Sequence, residues 1–85
     1  MDESEDRLRL EVGKHLKAMR KKAKLTQVEM SQKTGIVQPN ISEMENGKRL
    51  PQLDTLAIFA KALGVTLDAM VPPFDPNEEE EGQGE

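Results

Sequence analysis

Residues 37–49, VQPNISEMENGKR, concentrate side chains that can hydrogen-bond to a flat, patterned partner. Gln38 carries an amide donor and a carbonyl acceptor, the pair that matches N6 and N7 of adenine in a DNA major groove. Glu43 can accept from cytosine N4, or it can point to solvent or pair with Lys48 or Arg49. These side chains make residues 37–49 a candidate recognition segment.

Charge is unevenly distributed along the 85-residue chain, whose formal net charge is -4. Residues 1–6 hold four acids and no base, and residues 50–85 hold one base and eight acids. Residues 7–49 hold eleven bases and four acids, a net +7 that fits an anionic partner. A lysine-rich, solvated helix face would give the same count, so the role of Lys14, Lys17, Lys21 and Lys24 stays open.

Other chemistries find little support in the composition. There is no cysteine and only one histidine, His15, which excludes disulfides and most metal sites. His15 is flanked by lysine and is expected to face solvent. Nothing suggests the pocket that a catalytic serine–histidine pair needs, so we predict no enzyme, no metal and no cofactor. The acidic N-terminus and the shortness of the apolar runs, of which 56–60 has only five residues, predict a soluble, cytoplasmic protein.

The recognition segment must be held by helices, because apolar residues recur at helical spacing and no strand pattern occurs. The stripe that begins at Val12 and Leu16 predicts a first helix over about 6–23. Thr26 and Glu29 form a capping box, which predicts a second helix from Thr26 to about Thr34. Gly35 suits the left-handed residue that closes it.

The third helix is predicted to begin near Val37 and to end at Gly47, with Pro39 in its first turn. Two short helices joined by about three residues that include a glycine are typical of a helix-turn-helix. A fourth helix follows Pro51 and ends at Gly64, and a fifth is predicted over about 66–71. We therefore predict an acidic N-terminal extension over 1–6, a helical domain over 7–73 and a disordered acidic tail over 74–85.

In this order and spacing the motifs resemble those of the Cro/repressor-type, XRE-like helix-turn-helix regulators, from about Val12 to Val71. The shared features are Leu25-Thr26-Gln27, Gly35-Ile36, Ile41-Ser42, Glu45-Asn46-Gly47, Pro51, Thr55-Leu56 and Ala62-Leu63-Gly64-Val65. The resemblance implies an all-α, compact five-helix, lambda-repressor-like DNA-binding domain. Its third helix would lie in the DNA major groove.

The resemblance also assigns roles to individual residues. It implies base contacts by Gln38, Pro39 and Glu43, with Asn40 and Ser42 beside them. It implies that Gln27 contacts phosphate and supports the next helix. It also implies phosphate contacts by the turn Asn46-Gly47-Lys48, where backbone amides and the lysine hold phosphate; we add Arg49 and Lys33. It implies a partly buried salt bridge between Arg20 and Glu45, and an unpaired carboxylate beside the apolar Met44 stripe would be costly.

One residue departs from this family's pattern. Val37 stands where the family commonly has serine or threonine as a helix cap, and valine cannot cap. The first turn of the third helix is then looser, or Asn40 compensates. Pro39 either packs on a thymine methyl or stiffens the helix start, and the second needs no ligand.

The residues and the resemblance together predict a sequence-specific regulator of transcription that binds double-stranded DNA. We predict a repressor that binds a pseudo-palindromic operator as a homodimer, with no membrane association. The expected dimer surface comprises Leu67, Met70, Val71 and Phe74.

Two alternatives stay open. An antitoxin would use the same domain to repress its operon and the acidic tail, with its run Glu78–Glu81, to hold a basic toxin. A protein-interaction module without DNA binding would suit Glu43 and the acidic ends, but not Gln27, Gln38 and Lys48. The tail itself is either solubilising or a docking segment that competes with DNA.

Overall fold

A computed structural model describes residues 3–73, which form four α-helices followed by a 3₁₀ turn. The helices are α1 (Glu3–Lys22), α2 (Gln27–Thr34), α3 (Gln38–Glu45) and α4 (Leu53–Leu63), and the turn is Asp68–Met70. The all-α prediction is confirmed, since no strand occurs within residues 3–73. None of the helices in this part of the chain has both the length and the apolar character that crossing a membrane requires.

The predicted fifth helix, over about 66–71, is wrong, because this stretch forms only the 3₁₀ turn Asp68–Met70. Gly64 ends α4 with a left-handed φ of 72°, and Pro72 follows soon after. A residue that precedes proline is driven out of the helical region, and Val71 is accordingly extended, with φ -99° and ψ 130°. The space between Gly64 and Pro72 is therefore too short for a regular α-helix.

Helix α1 begins at Glu3, earlier than the predicted start near residue 6. The described part of the predicted acidic extension therefore belongs to α1. Its acids are suited to a first turn, where carboxylates oppose the positive end of the helix dipole. Arg9 also pairs with Asp6 and lies 4.0 Å from Glu5, one turn earlier. The predicted disordered tail, residues 74–85, lies outside the described residues.

The capping signals that define α2 are present as predicted. The Glu29 amide donates to the Thr26 hydroxyl at 3.0 Å, and the Thr26 amide donates to the Glu29 carboxylate at 2.8 Å. Gly35 closes the helix with a left-handed φ of 78°. Val37 is the N-cap of α3 and makes no side-chain capping hydrogen bond. Residues 35–37 alone separate α2 from α3, so the helix-turn-helix connection is as short as predicted.

One apolar core holds the helices together. Its buried members come from every helix and from the 3₁₀ turn, and they are Val12, Leu16, Met30, Ile41, Met44, Phe59, Ala60 and Met70. Helix α1 lies close to the end of α3 at Gly13, where an added Cβ would lie only 2.5 Å from the Met44 carbonyl oxygen. The buried glycine thus lets the last turn of α3 rest on the α1 backbone, which fixes how α3 projects from the core.

Candidate nucleic-acid interface

Helix α3 has an inner face that anchors it and an outer face that is polar. Ile41, Met44 and Glu45 are buried against the core. The five predicted base-contacting residues all lie elsewhere on α3: Pro39 is exposed, and Gln38, Asn40, Ser42 and Glu43 are half-buried. The structure therefore brings these five residues together on one short helix, and their contact with DNA stays a prediction.

The predicted ion pair between α1 and α3 is buried and has two hydrogen bonds. Arg20 donates from Nε to Glu45 Oε2 at 2.6 Å and from Nη2 to Glu45 Oε1 at 2.9 Å. Its Nη1 also donates to the Leu25 carbonyl oxygen at 2.7 Å. These bonds tie the end of α3 to α1 and to the loop that precedes α2. A bidentate arginine–carboxylate pair of this kind is geometrically specific as well as strong.

The environment keeps both members of this pair charged. Burial opposes ionisation of Glu45, but hydrogen bonds from Arg20 and Gln27, with the charges of Arg20 and Lys17, outweigh it. The pKa of the Glu45 carboxyl consequently lies below its usual value. The hydrogen bond to Glu45 raises the pKa of Arg20. Glu45 is therefore an ionised group that can only accept hydrogen bonds.

Two glutamines extend this pair toward the surface of α3. Gln27, the first residue of α2, donates from Nε2 to Glu45 Oε1 at 3.0 Å. Gln38, the first residue of α3, donates from Nε2 to Gln27 Oε1 at 2.6 Å. The resemblance implied that Gln27 supports α3, but it did not identify Gln38 as the residue that Gln27 contacts. Their equivalent positions at the starts of two consecutive helices were the available signal.

Glu43 adopts one of the arrangements that the sequence left open. Its Oε1 lies 2.9 Å from Arg49 Nη2, and both side chains are about half exposed. A carboxylate on the outer face of α3 is thus balanced by a cation from the following turn. Such an exposed pair contributes little stability, and its geometry leaves both groups accessible to a ligand.

The turn after α3 departs from what the resemblance implied. The backbone amides of Asn46, Gly47 and Lys48 already donate within the molecule, to the carbonyls of Ser42, Met44 and Glu43. In the free molecule the end of α3 uses these amides, and their contact with phosphate stays a prediction. The side chains of Lys48 and Arg49 are exposed cations on the same turn.

The remaining predicted contacts lie at different depths. Lys33 is exposed in the last turn of α2, whereas Gln27 is half-buried. Asn46 is exposed and its amide nitrogen lies 3.3 Å from the Ser42 hydroxyl. The Asn46 side chain thus donates a hydrogen bond to the Ser42 side chain near the end of α3.

The predicted dimer surface is only partly available. Leu67 and Val71 are exposed, 39% and 51% respectively. Met70 is fully buried in the monomer core, so we remove it from that surface. The 3₁₀ turn, which replaced the predicted helix, points this side chain inward. Phe74 lies outside the described residues.

His15 does not face solvent as expected. Its Nε2 lies 2.6 Å from the Ala69 carbonyl oxygen, and the ring is half-buried between α1 and the 3₁₀ turn. This contact joins residues 54 positions apart in the chain, which the flanking lysine gave no reason to expect. Across residues 3–73 no cluster of three histidine, aspartate or glutamate side chains forms a metal-binding group.

Comparison with known proteins identifies the arrangement of α2 and α3. The model of the helix-turn-helix family HTH_3 matches residues 16–70, more than half of the chain. The immunity repressor protein of Bacillus phage phi105 is 38% identical over 60 residues, which span 71% of this chain and 42% of the phage protein. An uncharacterized HTH-type transcriptional regulator of Sinorhizobium fredii is 38% identical over 64 residues, or 75% of this chain and 83% of that protein.

A solved structure shares the fold. The crystal structure of the hypothetical transcription factor NHTF from Neisseria superposes with a TM-score of 0.72 at 23% identity, covering 91% of this chain and 86% of that one. At this level of identity, the likeness extends to the fold alone.

Proposed function

This chain belongs to the helix-turn-helix family HTH_3, and we propose on that premise that it regulates transcription by binding double-stranded DNA in a sequence-specific manner. The observation that carries the proposal is the outer face of α3. It is short, polar and braced at both ends, with Gln38 at its start and the cations Lys48 and Arg49 just beyond its end. An α-helix of this kind fits the major groove, where base edges carry the sequence.

We assign the contacts by chemistry. Gln38 reads adenine, and Pro39, Asn40 and Ser42 line the same groove. Lys48 and Arg49 contact phosphates, supported by Lys33 and Gln27. The net charge of +7 over residues 7–49 favours this anionic partner although the chain as a whole is acidic. No step of this function requires a catalytic group or cofactor.

We further propose that the protein is a repressor that binds as a homodimer in the cytoplasm. A relative with 38% identity is named an immunity repressor, which supports the direction of regulation. Leu67 and Val71 are exposed apolar residues that flank the 3₁₀ turn, a surface that a second copy can cover. Two such domains would read half-sites about 34 Å apart, one turn of DNA, on a pseudo-palindromic operator.

A selection of bound sequences from random duplexes tests the proposal with the full chain. We expect one enriched motif with two related half-sites, and we expect binding that weakens steeply as salt is raised. Gln38→Ala should relax the preference at one base pair of each half-site. Gln32→Ala, which alters an exposed glutamine on α2, is the matched control and should change nothing. If no sequence is enriched at low salt, the proposed function is wrong.

The phosphate contacts have their own test. Arg49→Ala and Lys48→Ala should each lower the slope of log affinity against log salt by about 0.9, the effect of losing one neutralised phosphate. Lys61→Ala removes an exposed lysine from α4 and serves as the control, with an unchanged slope. An unchanged slope in all three variants contradicts the placement of phosphates beside this turn.

The antitoxin alternative keeps one specific support, the acidic run Glu78–Glu81 in the sequence. It predicts that a small basic protein co-purifies with the full chain and is lost when residues 75–85 are deleted. If the deletion instead tightens DNA binding at low salt, the tail competes with DNA for the basic surface.

A further inference from the structure

We propose that the acidic tail, residues 74–85, binds a basic face of α1 in the same molecule and that DNA has to displace it. The basic face comprises Arg7, Lys14, Lys17 and Lys21. The binding of the tail does not depend on the proposed function, whereas its displacement by DNA rests on that function. The contact gives a role to cations of α1 that the sequence left open.

The basic face lies along one side of α1. Arg7, Lys14 and Lys21 recur every seven residues, about two helical turns, so they share a side over about 21 Å. Lys17 lies about one turn from Lys14. All four side chains are exposed, and none pairs with an acid among the side chains that the structure describes. Glu11 is the only acid between residues 7 and 21, so this face has a surplus of positive charge.

The acidic tail complements this surface in charge. It contains six acids and no base, and four of the acids are consecutive, at Glu78–Glu81. Phe74 is its only large apolar residue, so the contact that it can offer is mainly electrostatic. Exposed ion pairs are individually weak, but a tether keeps the two partners at an effective concentration of about millimolar. Several weak pairs formed at once can therefore hold the tail at low salt.

The chain leaves the core beside the middle of α1, within reach of the basic face. His15 places its Nε2 2.6 Å from the Ala69 carbonyl oxygen. The nine residues from Ala69 to Glu78 can span up to about 30 Å. Along the helix, His15 is only about 12 Å from Arg7 and about 9 Å from Lys21. The acidic run can therefore reach the whole basic face.

The basic face also adjoins the turn after α3, which is proposed to meet phosphates. An added Cβ on Gly47 would lie 2.6 Å from Leu10 Cδ2 and 3.1 Å from Leu10 Cα, so α1 rests on this turn. Leu10 is one helical turn from both Arg7 and Lys14. DNA phosphates that approach the turn carry the same sign of charge as the tail, so the two polyanions compete for these cations.

A spin label on the tail tests the contact in the full chain. The chain has no cysteine, so Gln83→Cys provides a single attachment site for a nitroxide. We expect the amide NMR signals of residues 14–21 to weaken at least about twofold at about 10 mM salt, where the screening length is about 30 Å. They should recover at about 1 M salt, where this length is about 3 Å.

Matched variants separate charge from mere proximity. Replacing each acid of the run Glu78–Glu81 by glutamine keeps the length and polarity of the tail and should abolish the weakening at low salt. Lys14→Gln combined with Lys21→Gln should remove most of it. Lys61→Gln, which removes an exposed lysine from α4, is the control and should leave the weakening unchanged. Every variant is first verified to unfold cooperatively.

Addition of a duplex of random sequence at low salt tests the displacement. Shifts of the α3 amide signals report whether DNA is bound, and the intensities of the α1 signals report whether the tail has left. We expect DNA binding to restore the α1 signals. If DNA binds and the α1 signals stay weakened, the displacement is wrong. If no duplex binds, the proposed function and the displacement both fall, whereas the tail contact stands.

Three results overturn the tail contact itself. The α1 signals can keep their intensity at low salt, or weaken no more than those of α4. The weakening can survive the change of Glu78–Glu81 to glutamine, which excludes a contact between charges. In a mixture of isotope-labelled chains without the nitroxide and unlabelled chains that carry it, the α1 signals can weaken as strongly as in the spin-labelled molecule. The tail would then bind a second copy of the chain.

Discussion

Gly13→Ala tests the close approach of α1 and α3, on which the position of α3 depends. The new Cβ would lie 2.5 Å from the Met44 carbonyl oxygen and 2.7 Å from that of Glu45. Neither obstacle can rotate away, because both are backbone atoms. A Cβ atom in a protein essentially never lies within 3.0 Å of a heavy atom to which it is not bonded. The two helices must therefore separate by about 0.5 Å or more.

Two opposing effects set the size of the change. Alanine in a helix interior is favoured over glycine by about 1 kcal/mol. Overpacking a core typically costs about 1–3 kcal/mol, and rigid backbone on both sides places this site at the upper end. The net destabilisation should be about 2 kcal/mol, which for a domain of this size lowers Tm by roughly 8–16 °C.

Thermal unfolding followed by circular dichroism measures this change, with Gly64→Ala as the control. Gly64 has a left-handed φ of 72° and nothing within 4 Å of an added Cβ, so its variant suffers backbone strain alone, about 1 kcal/mol. Only Gly13→Ala should also weaken DNA binding at a temperature where both variants are folded. A rise in Tm for Gly13→Ala would refute the reasoning, since helix propensity would then outweigh the contact.

Four further predictions follow from the geometry. Glu45→Ala leaves Arg20 buried without its partner and should lower the free energy of unfolding by about 3–5 kcal/mol. It should also weaken DNA binding, and weaker binding with an unchanged Tm would contradict the structural role. Because the pKa of Glu45 is lowered, its stabilisation is complete above about pH 4.3 and is lost as pH falls through the lowered pKa. Calorimetry should therefore show the wild-type Tm falling more steeply than that of Glu45→Gln in acid, and parallel curves would exclude this. Val37→Ser supplies the missing cap and should raise stability by about 0.5–2 kcal/mol in urea titrations, whereas no gain would mean that the hydroxyl does not reach the amides. Glu43→Gln removes the carboxylate beside Arg49 and should tighten non-specific DNA binding at low salt; unchanged low-salt affinity argues against competition between Glu43 and phosphate for Arg49.

Local signals predicted the fold well because they act over three or four residues. Thr26 and Glu29 define the start of α2 through a contact between neighbours in sequence, and Gly35 and Gly64 end helices by their own backbone preference. The prediction of a fifth helix was wrong because a local capping signal does not set the length of a helix. Thr66 does accept from the Ala69 amide, at 3.2 Å, but a capping residue starts a turn and cannot lengthen it against Pro72.

The site was less predictable because its contacts join distant parts of the chain. Arg20 and Glu45 were paired through the resemblance and through the cost of a buried charge. The resemblance implied that Gln27 supports α3, but nothing in the types of Gln27 and Gln38 required these two side chains to meet. Gly13 lies inside an otherwise ordinary helix, and its role appears only when α3 is placed against it.

These contacts join the ion pair that anchors α3 and the two glutamines near its surface to the same buried carboxylate. Glu45 accepts two bonds from Arg20, which secure α3 to α1, and one from Gln27, which begins the path to Gln38. Selection for a stable domain would therefore preserve Glu45 whether or not the protein reads adenine. Gln27 is not needed for the ion pair, since its loss leaves Arg20 and Glu45 in contact. We therefore expect a change at Gln27 to lower the free energy of unfolding less than a change at Arg20 or Glu45.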